Sequence, residues 1–310
     1  MSVLALSGGI GGAKLALGLY RILPAGALTV VANTGDDFEH LGLSVSPDID
    51  TLLYTLAGID NQVTGWGRRD ETWTFMAALE ALGGATWFKL GDGDLATHVE
   101  RTRRLAAGES LSLITDDFRR RLGISARLLP MTDDDVRTRL NCEEGWLDFQ
   151  DYFVRLRTAP RVREIAYAGA SYAQANPDFL DALTDDHLDA VVICPSNPFL
   201  SIDPILSLPG VREALRACHA PVIAVSPIIG GGAVKGPTAK IMAELGLPIT
   251  AGAVARYYKD ILDLYVADEG DAEHVRELGI PTRLSRTLMV TLEDREALAR
   301  VVLTAARRGF

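Results

Sequence analysis

The chain has 310 residues, of which 48% are hydrophobic and 23% charged, and its formal net charge is −10 at pH 7. This is the ordinary mix of a soluble globular enzyme with one large domain or two coupled ones. The acidic balance argues against nucleic acid or an anionic membrane as the main partner, although a local nest or a metal ion still allows a small anionic substrate.

The N-terminal part predicts the start of a parallel sheet. Residues 3–6 and 28–32 are apolar runs, and residues 14–22 between them have helical spacing. Continuous apolar strands indicate burial on both faces of a sheet. The order strand, glycine-rich loop, helix, strand is typical of an α/β fold, and a further helix is predicted over residues 51–57.

The pattern changes over residues 61–164, which we interpret as an inserted cap subdomain that helps to bind the substrate. Helices are predicted over residues 74–82, 96–107 and 114–122. Residues 136–140 and 146–154 predict an antiparallel hairpin.

Strand patterns return after the insertion. Strands of the parallel sheet are predicted at residues 165–167, 190–194 and 221–225, with edge strands near 265–267 and 283. The predicted fold is a Rossmann-like parallel sheet with helices on both faces and a mixed helical and antiparallel insertion. The nucleotide-binding domain would comprise residues 1–60 and 165–310. Ligands of such sheets bind at the carboxyl ends of the strands, near the topological switch point.

The chain begins with a strand and a glycine-rich segment rather than a secretory signal, and no apolar stretch is long enough to span a bilayer. Cys142, Cys194 and Cys218 have no C-x-x-C spacing and are interpreted as reduced thiols. We therefore expect a cytoplasmic protein.

The segment after the first strand predicts a phosphate site. It contains four glycines and a lysine: Gly8, Gly9, Gly11, Gly12 and Lys14. Glycines let the backbone approach an anion, and a helix start favours negative charge. The segment fits neither the Walker loop nor the dinucleotide fingerprint, because no Ser or Thr follows the lysine and the third fingerprint glycine is missing. A tight turn without a ligand is the alternative interpretation.

Four aspartates within fifteen residues follow the second strand: Asp36, Asp37, Asp48 and Asp50. Oxygen-rich clusters of this kind beside a phosphate loop hold Mg²⁺. Asp50 also suits the N-cap of the next helix. We expect at least one of the four to contact metal or substrate, with Asp50 first, because its carboxylate would face the cleft.

Two later loops also carry candidate residues. Asn197 follows a buried strand and is expected either to cap a helix or to contact a base or sugar. Gly230, Gly231 and Lys235 suggest a second anion nest, with an ordinary surface loop as the alternative. The aromatic residues near Trp66 and at 87–88 suit a flat heteroaromatic ligand and core packing about equally.

Together these segments resemble the 2-phospho-L-lactate transferase family of coenzyme F-420 biosynthesis. They follow the family's order over most of the chain. The matching motifs are Gly-Gly-Ile-Gly-Gly-Ala-Lys (8–14), Asn-Thr-Gly-Asp-Asp (33–37), Pro-Asp-Ile-Asp-Thr (47–51), residues 65–73, Leu-Gly-Asp (90–92), Asp-Leu-Ala-Thr-His (94–98), Leu-Pro-Met-Thr-Asp-Asp (129–134), Pro-Ser-Asn-Pro (195–198) and Ser-Pro-Ile-Ile-Gly (226–230).

The resemblance implies a Mg²⁺-dependent transfer by a homodimer. A guanosine-diphosphate-linked phospho-acid would donate its phospholactyl-type group to the ribityl hydroxyl of 7,8-didemethyl-8-hydroxy-5-deazariboflavin, releasing GMP. Phospholactate, phosphoenolpyruvate and phosphoglycerate all stay open as the donor acid. Asp50 would be a metal ligand or the hydroxyl base.

By the same resemblance, the deazaflavin would contact Asp50 and Lys89, with Trp66, Asp92 and His98 nearby. The guanosine phosphates would contact the glycine loop, Asn33, Ser196, Asn197 and the loop over residues 226–236. Two alternatives are kept. One is a nucleotide-sugar-binding regulator of the related gluconeogenesis-factor family, and the other is an NAD-dependent dehydrogenase, which the missing glycine disfavours.

Overall fold

The computed structural model describes residues 1–233 and 236–307. The strands, in chain order, are β1 (Ser2–Ser7), β2 (Leu28–Ala32), β3 (Phe38–His40), β4 (Leu43–Val45), β5 (Arg127–Pro130), β6 (Arg137–Cys142), β7 (Gly145–Asp148), β8 (Glu164–Ala168), β9 (Leu188–Ile193), β10 (Val222–Val225), β11 (Ile228–Ile229), β12 (Gly232–Ala233), β13 (Leu264–Asp268) and β14 (Thr282–Ser285).

The α-helices are α1 (Gly9–Ile22), α2 (Pro47–Ala57), α3 (Thr74–Ala81), α4 (Asp92–Ala106), α5 (Leu111–Arg121), α6 (Pro177–Thr184), α7 (Asp203–Leu206), α8 (Val211–Ala217), α9 (Thr238–Glu244), α10 (Ala251–Tyr257), α11 (Ala272–Val275) and α12 (Leu292–Arg307). Short π-helices span Asp151–Arg155 and Pro198–Ile202, and a 3-10 turn spans Glu269–Asp271. Within the described ranges, none of these helices has both the length and the apolar character needed to cross a membrane.

Seven parallel strands form the central sheet, in the order β14-β13-β10-β9-β1-β2-β5. From β1 the chain adds β2 and β5 on one side, and then returns to the other side of β1 to add β9, β10, β13 and β14. The direction of winding therefore reverses between β1 and β9. A parallel sheet of this kind has its ligand crevice at the carboxyl ends of these two strands.

The central strands are buried on both faces, as their continuous apolar runs predict. Leu4 and Leu6 of β1 belong to one hydrophobic core, and Val3 and Ala5 belong to the core on the opposite face. Successive side chains of a strand point to opposite faces, so each face of the sheet needs its own helical layer. The prediction of an α/β parallel sheet is confirmed.

Two helices begin earlier than predicted, and this changes the position of the candidate residues. The first helix begins at Gly9 rather than Lys14, so most of the glycine segment forms its first turn. The second begins at Pro47 with Ser46 at its N-cap, because proline's fixed φ suits the first helical position. The prediction that Asp50 caps this helix is therefore wrong.

The region around the predicted insertion also departs from expectation. Residues 165–167 do form a strand, but this strand, β8, pairs antiparallel with β6 and does not join the central sheet. The second arm of the predicted hairpin ends as a strand at Asp148, and the chain then turns into the π-helix Asp151–Arg155. Strand β5 lies within residues 61–164 yet pairs with β2 in the central sheet. The division into two subdomains stays a prediction.

Candidate functional site

A cavity of about 840 Å³ lies at the carboxyl edge of the central sheet, within the size range of small-molecule sites. The segments after β1, β9 and β10 contribute Gly8, Gly9, Gly11, Lys14, Pro195, Ser196, Asn197, Ser226 and Pro227 to its lining. It therefore includes the switch point between β1 and β9, where a ligand is expected.

The glycines after β1 allow two loops to touch at the switch point. A Cβ atom on Gly11 would lie 2.4 Å from the carbonyl oxygen of Pro195, and one on Gly12 would lie 2.5 Å from Oγ of Ser196. These distances are too short for any side chain, so the residue type follows from close packing. Of the four predicted glycines, all except Gly12 line the cavity.

Two buried carboxylates, those of Asp36 and Asp48, line the cavity beside the glycine segment. Oδ1 of Asp48 accepts a hydrogen bond from the backbone N–H of Gly9 at 2.6 Å. The side-chain amide of Asn33 donates to Oδ2 of Asp48 at 2.9 Å and to Oδ1 of Asp36 at 3.2 Å. Asn33 itself does not line the cavity; it holds the two carboxylates together.

The pKa values of these acids are raised. Burial raises the pKa of Asp48 to about 6, although hydrogen bonds from Asn33 and Gly9 oppose the shift. Burial, followed by the charges of Asp48 and Asp37, raises the pKa of Asp36 well above its ordinary value. Burial also raises the pKa of Asp37 to about 7. Clustered carboxylates disfavour one another's ionisation, so a bound cation would favour the charged forms.

Asp50 was expected to face the cavity, but it does not line it. Arg101 donates from both terminal nitrogens to the two carboxylate oxygens of Asp50, and both side chains are buried. His98 lies behind this pair, with Nδ1 3.6 Å from Asp50 and Nε2 3.4 Å from Asp94. Arg101, in α4, therefore binds the carboxylate of Asp50, which the sequence predicted to face the cleft. His98 likewise does not line the cavity.

Asp92 also has a structural partner rather than a place in the cavity. Its carboxylate accepts hydrogen bonds from the backbone N–H groups of Thr74 at 3.1 Å and Phe75 at 3.0 Å, at the start of α3. The side chain of Thr72 donates to it at 2.5 Å. Asp37, which does not line the cavity either, accepts from Oγ of Ser46 at 2.7 Å.

Aromatic side chains line a second part of the cavity: Trp66, Trp87, Phe88, Phe149 and Phe153. Phe88 packs edge-on against Phe38 with 4.8 Å between ring centroids, and Trp87 packs against His40 at 5.0 Å. Lys89 lines the cavity next to them. Trp66 of this aromatic wall and the adjacent Lys89, both predicted to lie at the deazaflavin, therefore line the same part of the cavity, and their contact with a ligand stays a prediction.

Phe149 and Phe153 are not among the predicted site residues, because they lie in the segment predicted as a hairpin arm. Their rings stack 5.3 Å apart, with an interplanar angle of 12°. Their separation of four residues gave no signal, because side chains four apart share a face in a strand as well as in a helix.

The loop after β10 is held by a carboxylate of the protein itself. The backbone N–H groups of Gly230 and Gly231 donate to the two oxygens of Asp271, at 3.0 and 3.1 Å, and Asp271 is fully buried. These glycines therefore form an anion nest that binds the carboxylate of Asp271, a residue of the protein itself. They do not line the cavity. Lys235 lies outside the described residues.

The segment after β9 does face the cavity, through Ser196 and Asn197. Oδ1 of Asn197 caps the π-helix by accepting from the N–H groups of Phe199 at 2.9 Å and Leu200 at 3.1 Å. Among the described groups, its buried Nδ2 has no hydrogen-bond partner. Lys14 donates from Nζ to the carbonyl oxygen of Met289 at 2.9 Å and also lines the cavity.

Fold and cavity together define an α/β protein with a ligand site at the switch point of a parallel sheet. The profile of the family described as 2-phospho-L-lactate transferase CofD matches residues 3–302, and the chain belongs to this family. The predictions of the family and of a transferase are thereby confirmed, and the names of its members fit the predicted role in coenzyme F-420 biosynthesis.

Individual relatives agree with this assignment. The chain is 43% identical over 319 residues to a phosphoenolpyruvate transferase of Kitasatospora aureofaciens, covering 99% of this chain and 98% of the relative. It is 40% identical over 302 residues to a 2-phospho-L-lactate transferase of Methanosarcina mazei, covering 96% and 98%. A solved structure of a UPF0052 family member from Bacillus halodurans matches with a TM-score of 0.64 over 97% of this chain and 98% of the other. At 14% identity, that match concerns the fold alone.

Proposed function

We propose that the protein transfers a phospholactyl-type group from a guanosine-diphosphate-linked phospho-acid to the ribityl hydroxyl of 7,8-didemethyl-8-hydroxy-5-deazariboflavin. The hydroxyl oxygen forms a bond to the phosphorus that carries the acid. The bond from this phosphorus to the bridging oxygen breaks, and GMP leaves with that oxygen and the electron pair. One observation carries the proposal: the glycine-rich start of α1, buried carboxylates and an aromatic wall line one cavity.

The switch-point side of the cavity suits the donor. Backbone groups at the start of α1, the side chains of Ser196 and Asn197, and the cation of Lys14 all line it. The unpartnered Nδ2 of Asn197 offers a hydrogen-bond donor to a phosphate, sugar or base. Most of the rate in phosphoryl-type transfers comes from positioning and charge neutralisation, and these groups supply both.

The aromatic wall suits the acceptor. Trp66, Trp87 and Phe88 offer flat apolar surface to a tricyclic ring. Lys89 lines the same part of the cavity and would contact a polar edge of the deazaflavin. If so, Lys89→Ala weakens deazaflavin binding more than nucleotide binding in calorimetry.

The acidic residues fit a Mg²⁺ ion. Asp36 and Asp48 offer oxygen ligands at the cavity wall, and Oδ1 of Asp37 is buried without a hydrogen-bond partner in the described part of the chain. Carboxylate oxygens are the ligands that Mg²⁺ prefers. When bound, the ion would neutralise charge on the diphosphate. Asp50 keeps its predicted place in this set only if its pair with Arg101 opens.

The hydroxyl proton needs an acceptor at the cavity wall. Asp48 is the better placed carboxylate, because it lines the cavity while Asp50 is bound by Arg101.

Location in the cytoplasm and assembly as a homodimer belong to the same proposal. The dimer is measured by analytical ultracentrifugation of the purified protein, where a mass near twice that of the chain is expected.

Turnover tests the proposed reaction. The protein is incubated with the deazaflavin, Mg²⁺ and each guanylylated acid in turn, and GMP release is followed by chromatography. We expect GMP to appear in equal amount to a deazaflavin product, and chelation of Mg²⁺ to stop both. GMP release that is independent of the deazaflavin indicates hydrolysis instead and refutes the transfer.

A further inference from the structure

One wall of the cavity comes from the segment after β7. This wall, residues 149–157, contributes Arg155 and Arg157 to the lining. It shares Phe149 and Phe153 with the aromatic wall and does not belong to the switch-point loops. Its cations are therefore available for a part of the donor that lies toward the acceptor.

Arg157 has an unusual backbone conformation for its residue type. Its φ is 51°, and φ of Thr158 is 56°, so both residues are left-handed without being glycine. This conformation costs free energy for a residue with a Cβ, and such residues persist where the surroundings hold them, often at ligand sites. Glycine would adopt the conformation without this strain. The presence of arginine instead of glycine at this position indicates that its side chain has a function.

The surroundings hold this segment firmly. The N–H of Thr158 donates to the carbonyl oxygen of the buried Tyr152 at 2.8 Å. Further along, Nζ of Lys240 donates to the carbonyl oxygen of Pro160 at 2.7 Å. The N–H of Val162 donates to the carboxylate of Glu244 at 3.0 Å. The last two hydrogen bonds come from α9, so this helix holds the chain three and five residues after Arg157.

The two arginines of this wall differ in their partners. Arg155 forms an ion pair with Asp151 at 3.0 Å. Arg157 has neither a hydrogen bond nor an ion pair with any residue in 1–233 or 236–307. A guanidinium at a cavity wall, on a strained and tethered backbone, is suited to bind a planar anion through two hydrogen bonds.

We infer that Arg157 binds the carboxylate of the donor's phospho-acid. This inference rests on the proposed function, in which the donor carries a diphosphate and an acid. Phospholactate, phosphoenolpyruvate and phosphoglycerate share a carboxylate. Arg157 therefore selects for an acid as a class, without distinguishing among the three.

The test compares the donor with an analogue whose carboxylate is replaced by a carboxamide. Wild type should prefer the acid by about 10- to 100-fold in kcat/KM, which is the size expected for a charged hydrogen-bonded pair. Arg157→Ala should lose most of this preference through a higher KM for the acid, while its Kd for GMP changes less than about twofold. Arg157→Lys should recover part of the preference.

Arg161 provides the matched control, because it is an exposed arginine four residues after Arg157 that does not line the cavity. Arg161→Ala should keep the wild-type preference. If Arg157→Ala folds poorly, Arg157→Gly relieves the backbone strain while also removing the guanidinium, and the same loss of preference is expected.

The outcomes separate this inference from the proposed function. If wild type transfers the group but Arg157→Ala keeps the preference for the acid, only the inference is wrong. An equal weakening of GMP and donor binding in Arg157→Ala also overturns it, because that result indicates general damage. If wild type transfers no guanylylated acid, the proposed function and the inference both fail.

Discussion

Asp48 and Asp50 are two residues apart in one helix, yet their environments differ. Within residues 1–233 and 236–307, Asp48 receives hydrogen bonds only from neutral groups, Gly9 and Asn33, and its pKa is raised by burial. Asp50 is bound by the buried Arg101. A carboxylate at a cavity wall without a cationic partner is available for catalysis or metal binding. One that is paired with a buried arginine mainly stabilises the fold.

This difference predicts distinct effects of two matched substitutions. Asp48→Asn should lower kcat by a factor on the order of 10²–10³, as for other single electrostatic groups. It should also cost about 1–3 kcal/mol of stability, because one oxygen cannot accept from both Gly9 and Asn33. Asp50→Asn should destabilise the fold by about 3–5 kcal/mol, because it leaves Arg101 buried without its counter-charge. Steady-state kinetics and thermal unfolding of both variants check this. A stable, inactive Asp50→Asn beside an active Asp48→Asn would restore Asp50 as the catalytic carboxylate.

Asp271 shows how one side chain can hold a loop. Asparagine at this position offers one oxygen to two N–H donors, so one donor of Gly230 or Gly231 loses its partner. A buried unsatisfied group costs about 1–3 kcal/mol, and Asp271→Asn should lose stability by this amount in urea denaturation. Glu269→Gln, at an exposed neighbouring position, is the control. Equal stability of both variants would show that the nest does not hold the loop.

Asp203 carries a buried charge away from the cavity carboxylates. Burial raises its pKa from 3.8 to about 6, against hydrogen bonds from Tyr257 and Tyr167 and the charge of Arg212. The folded state therefore binds this proton more tightly than the unfolded state. The stability that results is present below about pH 4 and is lost as pH rises to about 6.

Asp203→Asn removes this titration. The free energy of unfolding of the variant, relative to wild type, should rise by on the order of 2 kcal/mol between pH 4 and pH 7. Urea denaturation at several pH values measures it, with Asp186→Asn at an exposed position as the control. A difference that does not vary with pH would contradict the shift.

At the scale of elements, the start of α1 and the loop after β9 depend on each other. Gly11→Ala would place a Cβ 2.4 Å from the carbonyl oxygen of Pro195, and backbone cannot rotate away as a side chain can. We expect a loss of about 1–3 kcal/mol in stability together with weaker donor binding. Thermal unfolding and GMP calorimetry measure these effects.

Gly232→Ala is the control for this substitution, because among the described residues its Cβ would meet only the carbonyl oxygen of Ile229, at 3.8 Å. Wild-type stability and GMP affinity in Gly11→Ala would mean that the two loops separate without cost, and that the glycines are not required by packing.

For the whole molecule, sequence predicts the central sheet well because its signal is local. Apolar runs such as residues 28–32 and 190–194 are buried on both faces, so the pattern of each strand identifies it without knowledge of its neighbours. Pairing is not local. The strand predicted at 165–167 is apolar like the strands of the central sheet, but it pairs antiparallel with β6 in a separate sheet.

The candidate site could be predicted in its segments but not in its side-chain partners. Sequence brings Gly11 and Asp48 to one cavity, because parallel strands end at the same edge, and the family resemblance adds Lys89. It does not reveal that Arg101, fifty-one residues further on, binds Asp50, or that Asp271 fills the nest of Gly230. These are contacts between distant segments, and residue type alone carries no signal for them.

The central claim is that one cavity holds the nucleotide phosphates beside the flat acceptor. A crystal structure of the protein with GMP, Mg²⁺ and the deazaflavin measures this most directly. The GMP phosphate is expected against the start of α1 near Gly11, and the deazaflavin ring against Trp66, Trp87 and Phe88. Well-ordered ligands bound at separate surfaces, away from these residues, would contradict the claim.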